Sequence, residues 1–267
     1  METKEFRVKY RSRKDQFKLF PLGDIHAGTK HCAEGEIKRQ INEISVDPFA
    51  LWIGMGDYME AITPNDPRWD VEVISDWVEN SNIVESQRKW VVNLFRPIAD
   101  KCVGLLEGNH EASIRLRNYQ DVYLDICRDL KVTPLGYSAF VRFLFSRNVT
   151  KDVTTFVGVF MHGSGAAQTE GGKIMRLKRF MDSFEADIYG LGHIHDIKTD
   201  SIAQLKINEA NNIREVLRVG AITGSWFRTY SQGVRASYAE RKGYPPTVLG
   251  CPHFTIIPDK KILKVVK

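Results

Sequence analysis

The sequence predicts an α/β fold in which two β-sheets pack face to face and helices cover their outer sides. Short apolar runs that end in turn residues alternate with segments of helical periodicity in the first half, whereas strand-like segments dominate the second half. Two packed sheets with helices outside bury the apolar faces of both halves. No repeat, low-complexity tract or Ser/Gly linker interrupts the chain, which favours one domain spanning residues 1–267.

The first half predicts strands alternating with helices. The strands are apolar runs that end in glycine or polar residues: FKLF (17–20), FALWIGMGD (49–57) and CVGLLEGNH (102–110). The helices carry apolar residues at helical spacing: residues 34–46, residues 74–98, ended by Pro97, and residues 111–130. Residues 61–72 are rich in Pro and Asp and predict a loop.

Strands dominate the second half of the chain. Segments rich in β-branched and aromatic residues predict them at AFVRFLF (139–145), VTTFVGVFMHG (153–163), DIYGLGHIH (187–195), REVLRVG (214–220) and HFTIIPDKKILKVV (253–266). The Pro-Asp pair in the last segment suits a hairpin turn. One helix is predicted over residues 171–184, and residues 224–246 predict a long loop because they lack clear periodicity.

The composition is typical of a soluble globular protein, because 43% hydrophobic and 27% charged residues suffice for a core and a hydrated surface. No apolar run is long enough to span a bilayer, and the charged N-terminal segment lacks the apolar core of a secretory signal. The four widely spaced cysteines predict reduced thiols and a cytoplasmic protein. The net charge of +5 permits a nucleic-acid partner without requiring one, since solvated surface lysine explains it equally well.

Five predicted strand ends carry side chains of the kinds that bind metals. Each follows an apolar run with a glycine nearby, and together they supply Asp24, His26, Asp57, Asn109, His110, His162, His193 and His195. Carboxylate and imidazole ligands together suit Zn, Mn or Fe, whereas Ca and Mg prefer oxygen alone. No cysteine accompanies them, so a closed structural zinc site is not expected.

These ligand types outnumber what one ion needs and predict a pair of ions that share a carboxylate. Two ions roughly 3.5–4 Å apart clamp the attacking and leaving oxygens of a phosphate ester. A metal-bound hydroxide would attack phosphorus in line, and a histidine that binds no metal would protonate the leaving oxygen. The residues therefore predict a dinuclear, metal-dependent phosphoesterase.

The order of the motifs, D-x-H, G-D, G-N-H-E, H and G-H-x-H over residues 23–195, resembles that of the calcineurin-like metallophosphoesterase superfamily. Its members include phosphoprotein phosphatases, purple acid phosphatases and nucleases. The resemblance covers about two-thirds of the chain. It implies a four-layer α/β sandwich of two mixed β-sheets, with helices on the outer faces and metals at the strand ends.

The resemblance also implies roles for individual residues. One metal would be held by Asp24, His26, Asp57 and His195, and the other by Asp57, Asn109, His162 and His193. Asp57 would bridge the two ions, for which Mn is expected and Fe or Zn are the alternatives. His110 would contact the substrate phosphate and act as the general acid. Glu111 and Glu60 stand where many members have aspartates, and both are expected to support the site.

Basic residues that could bind the substrate lie outside these motifs. Arg115 and Arg117 follow the catalytic segment and could hold a phosphate, or they could be helix-surface residues. Lys173 and Arg176 would share a helix side opposite the apolar stripe. A phosphodiester backbone could lie there, and a solvated face is the alternative.

Aromatic and remaining histidine residues leave two interpretations open. Trp226, Phe227 and Tyr230 could stack on bases or pack under the long loop. His31 and His253 match no motif and are expected to be surface or packing residues.

The favoured substrates are phosphodiesters, with DNA or RNA among them. Three features favour them: the net charge of +5, the basic residues of the helix predicted over residues 171–184, and the aromatic residues interleaved with arginines in residues 224–246. A phosphomonoesterase acting on phosphoserine and phosphothreonine is the alternative enzyme. A catalytically inactive binding or scaffold subunit is the alternative of another class, although such a protein is expected to have lost ligands. No membrane partner is expected, and the oligomeric state is left open.

Overall fold

The computed structural model describes residues 1–148, 153–165, 167–208 and 210–267. Its strands are β1 (Glu2–Tyr10), β2 (Phe17–Leu22), β3 (Ala50–Gly54), β4 (Cys102–Leu105), β5 (Ser138–Arg147), β6 (Val153–Met161), β7 (Ile188–Leu191), β8 (Ile197–Ile207), β9 (Ile213–Thr223), β10 (His253–Ile257) and β11 (Ile262–Val266). Its α-helices are α1 (Glu34–Val46), α2 (Ile83–Phe95), α3 (Asn109–Asn118), α4 (Val122–Leu130), α5 (Glu170–Ser183) and α6 (Tyr238–Arg241).

The strands form two mixed sheets, as predicted. One sheet has the order β1-β5-β6-β7-β9-β8, and the other has the order β11-β10-β2-β3-β4. Strands β6, β7 and β9 are parallel in the first sheet, and β2, β3 and β4 are parallel in the second. Antiparallel strands lie on both sides of the first set, whereas the second set has antiparallel β10 on one side and ends at β4 on the other. The turn Pro258–Lys260 joins the antiparallel strands β10 and β11, which confirms the predicted hairpin.

The two sheets face each other across an apolar layer. Phe143, Phe145 and Phe160 of the larger sheet belong to the same buried cluster as Leu19 and Ile53 of the smaller sheet. Helices α1, α2 and α4 pack on the outer side of the five-stranded sheet, and α5 packs on the outer side of the six-stranded sheet. The four layers confirm the predicted sandwich.

Strand β3 illustrates why this arrangement was readable from the sequence. Every residue of the strand is buried, with Trp52 in the helix-side cluster and Ile53 in the layer between the sheets. Successive side chains of a strand point to opposite faces. A parallel strand covered on both faces therefore has a continuous apolar sequence.

Two predicted helices differ from the observed ones. The helix predicted over residues 74–98 begins only at Ile83, because residues 74–82 are irregular, and Pro97 lies in a short 3-10 helix after α2. The helix predicted over residues 111–130 is divided into α3 and α4 at Tyr119, which adopts a left-handed backbone with φ 57°. A left-handed residue ends a helix because its backbone cannot continue the hydrogen-bond pattern.

Strands β1 and β8, at the two edges of the six-stranded sheet, were not predicted. In β1, Glu5, Arg7 and Lys9 are exposed whereas Val8 and Tyr10 are buried. Charged residues on an edge strand hinder pairing with other chains, and they also mask the strand in the sequence.

No helix among the described residues has the length and apolar character needed to cross a membrane.

Candidate metal centre

The carboxyl ends of five strands place the predicted ligands in one region. Asp24 and His26 follow β2, Asp57 follows β3 and Asn109 follows β4, while His162 follows β6 and the last two histidines follow β7. Because the strands within each set are parallel, their carboxyl ends meet at the same sheet edge. Ligand atoms within 4.8 Å of one another form three overlapping groups: Asp24, Asp57, His162 and His193; Asp24, His26 and His195; and His26, Glu60 and His110.

The group of Asp24, His26 and His195 holds two imidazoles against a carboxylate. The Nε2 atoms of His26 and His195 lie 3.0 Å apart, and Nε2 of His195 lies 3.3 Å from Oδ1 of Asp24. Nδ1 of His26 pairs with Oε2 of Glu60 at 2.8 Å. This contact turns Nε2 of His26 toward the other ligands, which is how outer carboxylates orient metal-binding histidines.

The group of Asp24, Asp57, His162 and His193 lies around the His162 ring. Nε2 of His162 lies 3.3 Å from Oδ2 of Asp57 and 3.0 Å from Oδ1 of Asn109. Its Nδ1 donates to the Met55 carbonyl at 2.7 Å, which fixes the ring with Nε2 facing the ligands. Nδ1 of His193 lies 4.0 Å from Oδ2 of Asp57.

Asp24 is the carboxylate common to both groups, whereas Asp57 belongs to one of them. The bridging role that the resemblance assigns to Asp57 therefore stays a prediction. Asp57 nevertheless lies at a junction, because its Oδ1 accepts the backbone N–H of His110 at 2.9 Å while its Oδ2 faces His162.

Five candidate ligands have a left-handed backbone. Their φ angles are 49° at Asp24, 54° at His26, 51° at Asp57, 66° at His193 and 51° at His195. Non-glycine residues in this region cost on the order of 1–3 kcal/mol each and concentrate at functional sites. The surrounding strands therefore hold these side chains in positions that a relaxed chain would not choose.

Two buried atoms test whether the residues fit a cation. Oδ1 of Asp24 and Nδ1 of His193 are buried, and neither makes a hydrogen bond among the described residues. Their polar neighbours are other candidate ligands, His195 at 3.3 Å from the first atom and Asp57 at 4.0 Å from the second. Burial lowers the pKa of the His193 imidazole to about 4, so its ring is neutral and a nitrogen lone pair is available. Buried polar atoms without partners are costly. Their mixed oxygen and nitrogen chemistry suits Mn, Fe or Zn.

His162 shows how a cation would compete with a proton. Burial by itself lowers the pKa of the His162 imidazole, but the nearby Asp57 carboxylate outweighs burial and raises this pKa to about 10. A metal must displace this proton, because only neutral imidazole binds metals. The residues present therefore could bind metal ions.

His110 lies beside the two groups. Its Nδ1 contacts the Glu60 carbonyl, and its Nε2 lies 3.4 Å from Nη1 of Arg68. Because a carbonyl can only accept, Nδ1 carries a proton and Nε2 faces the cavity. This arrangement suits a residue that exchanges a proton with a bound molecule.

Glu111 connects two of the loops that carry candidate ligands. Its carboxylate accepts the backbone N–H groups of Asp57 at 3.0 Å, Tyr58 at 2.8 Å, Met59 at 3.0 Å and Gly108 at 3.1 Å. The side chain thus ties the loop after β3 to the start of α3. It supports the position of Asp57 rather than orienting the His110 ring.

A cavity of about 340 Å³ opens over the ligands. Its lining includes His26, His193 and His195, together with Tyr244 and Pro245 from the segment between β9 and β10. Phe227, also from that segment, packs with its ring 5.2 Å from the His26 ring and 5.8 Å from the His195 ring. The cavity lining therefore combines candidate ligands with aromatic and other apolar side chains.

The predicted substrate-binding residues lie in different places. Lys173 lines this cavity, and Arg117 contacts Asp66 and lines a neighbouring cavity. Arg115 points to Glu107 at 3.2 Å, and Arg176 donates to the Ser164 carbonyl, so neither faces the candidate ligands. Whether any of the four binds substrate stays a prediction.

The expectation that Lys173 lies on a solvent-facing helix side was wrong. Lys173 is buried, and its ammonium group donates to Asp196 at 2.6 Å. Asp196 also contacts Lys198 at 3.1 Å. The reason lies in a distant carboxylate, which makes the buried charge tolerable.

The structure shows which of the aromatic residues and remaining histidines are buried. Trp226 is buried in the helix-side core and Tyr230 is exposed, so Trp226 cannot stack on a base. His31 is a buried packing residue that contacts Ser231 at 3.0 Å and the Arg235 carbonyl at 3.1 Å. His253 packs beside Phe20, with ring centres 5.4 Å apart.

Arg68 is the cavity residue that sequence reasoning missed. It belongs to the loop between β3 and α2 and reaches both the cavity and His110. Asp66 fixes its guanidinium through two bonds, from Nε at 3.0 Å and from Nη2 at 2.9 Å. The local signal is the Asp-Pro-Arg sequence in the loop that follows the second motif, and it has no periodicity to distinguish it from a surface loop.

No family model matches the sequence, and a comparison with curated proteins finds no match. Among solved structures, the chain is similar to a conserved uncharacterized protein from Streptococcus pneumoniae TIGR4 whose description is "predicted phosphoesterase". The identity is 12% and the TM-score is 0.33, over 91% of this chain and 83% of that chain. A likeness this low does not establish a family, so the functional conclusion depends on the geometry of the site.

Proposed function

We propose that this protein is a dinuclear metal-dependent phosphoesterase whose preferred substrates are phosphodiesters. One observation carries the proposal: seven candidate ligands from five strand ends converge, and two of their buried atoms make no hydrogen bond among the described residues. When bound, two divalent cations would supply Lewis-acid positive charge beside the phosphate ester. The first would be held by the group containing Asp24, His26 and His195, and the second by the group around His162.

The residues beside the ligands supply the remaining functions. In its doubly protonated form His110 presents Nε2–H to the cavity and gives this proton to the leaving oxygen of the ester, while the Glu60 carbonyl accepts the Nδ1–H. Arg68 offers the N–H groups of Nη1 to a non-bridging phosphate oxygen. Phe227 covers His26 and His195 and excludes water from that side.

The test begins with metal binding, because every later step depends on it. Metal-free protein is titrated with Mn²⁺ by calorimetry, and we expect two ions per chain. His162→Asn should lose about one of them, because its ring nitrogen is removed from the second group. His253→Asn is the matched control and should keep both, since His253 packs against Phe20 outside the site.

Activity is then measured with bis-p-nitrophenyl phosphate and p-nitrophenyl phosphate in the presence of Mn²⁺. A larger kcat/KM for the diester supports the proposal. A strong preference for the monoester favours the phosphomonoesterase alternative instead. Less than one ion per chain, with neither ester hydrolysed, would make the protein a non-catalytic binding or scaffold subunit.

A further inference from the structure

A second cavity lies directly beside the first. It has a volume of about 490 Å³ and is enclosed by the loop between β3 and α2 and by the segment that contains α6. The two cavities share a wall that consists of Glu60, Ile62, Arg68, Phe227 and Tyr238. The two cavities therefore adjoin at these side chains, and each of the five residues borders both of them.

Arg68 marks the position of the phosphate at the shared wall. Its guanidinium is held by the buried Asp66 carboxylate, which also contacts Arg117. The Asp66 contacts occupy Nε and Nη2, so Nη1 remains directed toward Nε2 of His110 at 3.4 Å. An arginine fixed in this way loses little conformational entropy when it binds a phosphate oxygen. A phosphate whose oxygens contact both Arg68 and His110 would thus lie where the two cavities adjoin.

The lining of the second cavity suits a polar group that contains rings. Trp69 and Tyr238 contribute aromatic rings, and Arg117 and Arg241 contribute guanidinium groups. The carboxylate of Asp70 is already paired with Arg241 at 2.8 Å and with Arg235 at 3.1 Å. A nucleoside is bound by two features of this kind. Its base stacks on aromatic rings, and its hydroxyl and carbonyl oxygens accept hydrogen bonds from N–H groups.

We propose that the second cavity is a binding subsite for a nucleoside esterified to the substrate phosphate. The inference rests on the proposed function and gives its substrate class: phosphodiesters with a nucleoside on one side of the phosphate. The leaving group occupies the cavity over the candidate ligands, and the nucleoside occupies the cavity behind Arg68. A phosphate ester without a nucleoside, such as p-nitrophenyl phosphate, leaves this second cavity empty.

The experiment fills the second cavity without touching the first. Ala236 lines only the second cavity, and Ala236→Trp would occupy its space. Ala203→Trp is the control, because Ala203 is an exposed residue of β8 that lines neither cavity. The substrates are the p-nitrophenyl ester of thymidine 5′-monophosphate and p-nitrophenyl phosphate, which share a leaving group and differ in the nucleoside.

With Mn²⁺ bound, Ala236→Trp should lower kcat/KM for the thymidine ester at least tenfold and change that for p-nitrophenyl phosphate less than twofold. Equal effects on the two substrates, or no effect on either, would overturn the subsite. Trp69→Ala provides a second test if Ala236→Trp does not fold. It should raise KM for the thymidine ester about tenfold, as expected for loss of one stacking ring, and an unchanged KM would contradict the proposal.

A binding measurement separates this inference from the proposed function. Thymidine 5′-monophosphate is titrated into the wild-type protein, Ala236→Trp and Ala203→Trp by calorimetry. If the wild type hydrolyses neither ester but binds the nucleotide, and only Ala236→Trp loses binding, the proposed function fails and the subsite stands. If the wild type hydrolyses both esters and Ala236→Trp binds the nucleotide like wild type, the subsite fails alone.

Discussion

Replacing Glu111 with glutamine should destabilise the protein strongly, although the two side chains have nearly the same shape. The Glu111 carboxylate is 1% exposed and accepts four backbone N–H groups, two on each oxygen. In glutamine, one oxygen remains an acceptor and the other is replaced by an NH₂ group. Two buried N–H groups would therefore face a donor and lose their hydrogen bonds.

The size of the effect follows from these two groups. Each buried donor left without a partner costs about 1–3 kcal/mol, so the pair costs about 2–6 kcal/mol. Burial, with a further contribution from the Asp57 carboxylate, raises the pKa of Glu111 to about 7. The measurement therefore belongs at pH 8, where the wild-type side chain is ionised and accepts all four bonds.

Urea unfolding of the metal-free protein, followed by tryptophan fluorescence, measures the change in the free energy of unfolding. Glu111→Gln should unfold at a urea concentration lower by about 1 M or more. Glu107→Gln is the matched control, because Glu107 pairs with the half-exposed Arg115 and such a pair contributes at most about 1 kcal/mol. Equal midpoints for wild type and Glu111→Gln would refute the reasoning about the four N–H groups.

Three further predictions concern the general acid, an ion pair and the core. His110→Ala should retain its Mn²⁺ content while kcat falls by about 10²–10⁴, the range for loss of a general acid; loss of metal in the same variant would show that His110 is a ligand. The Arg68 guanidinium holds the pKa of Asp66 well below its usual value. A lowered carboxyl pKa stabilises the fold above the unfolded pKa of about 4 and loses this effect as pH falls. The difference in unfolding free energy between wild type and Asp66→Asn should therefore shrink from pH 7 to pH 3, and a constant difference would contradict it. Phe143→Ala should cost about 3–5 kcal/mol in urea unfolding, because Phe143 is fully buried between the sheets; a loss below about 1 kcal/mol would mean that this layer repacks.

The sequence by itself determined the layers of the fold and the set of candidate ligands. Both depend on local features: the apolar runs of buried strands such as β3, and the polar residues that directly follow them. Parallel strands place their carboxyl ends together, so Asp24, Asp57 and Asn109 could be expected at one sheet edge without knowledge of the loops. The local pattern, however, did not reveal the charged edge strand β1 or the division of α3 from α4.

Only the tertiary structure decided which lysine and arginine side chains reach the cavities. Lys173 is buried because Asp196, 23 residues later, lies across from it. Arg68 faces His110 because Asp66 holds its guanidinium and Arg117, 51 residues beyond Asp66, packs on the same carboxylate. Periodicity reports which face of an element is apolar, but it carries no information about a partner supplied by another part of the chain. Charge pairing across such distances is a property of the folded state alone.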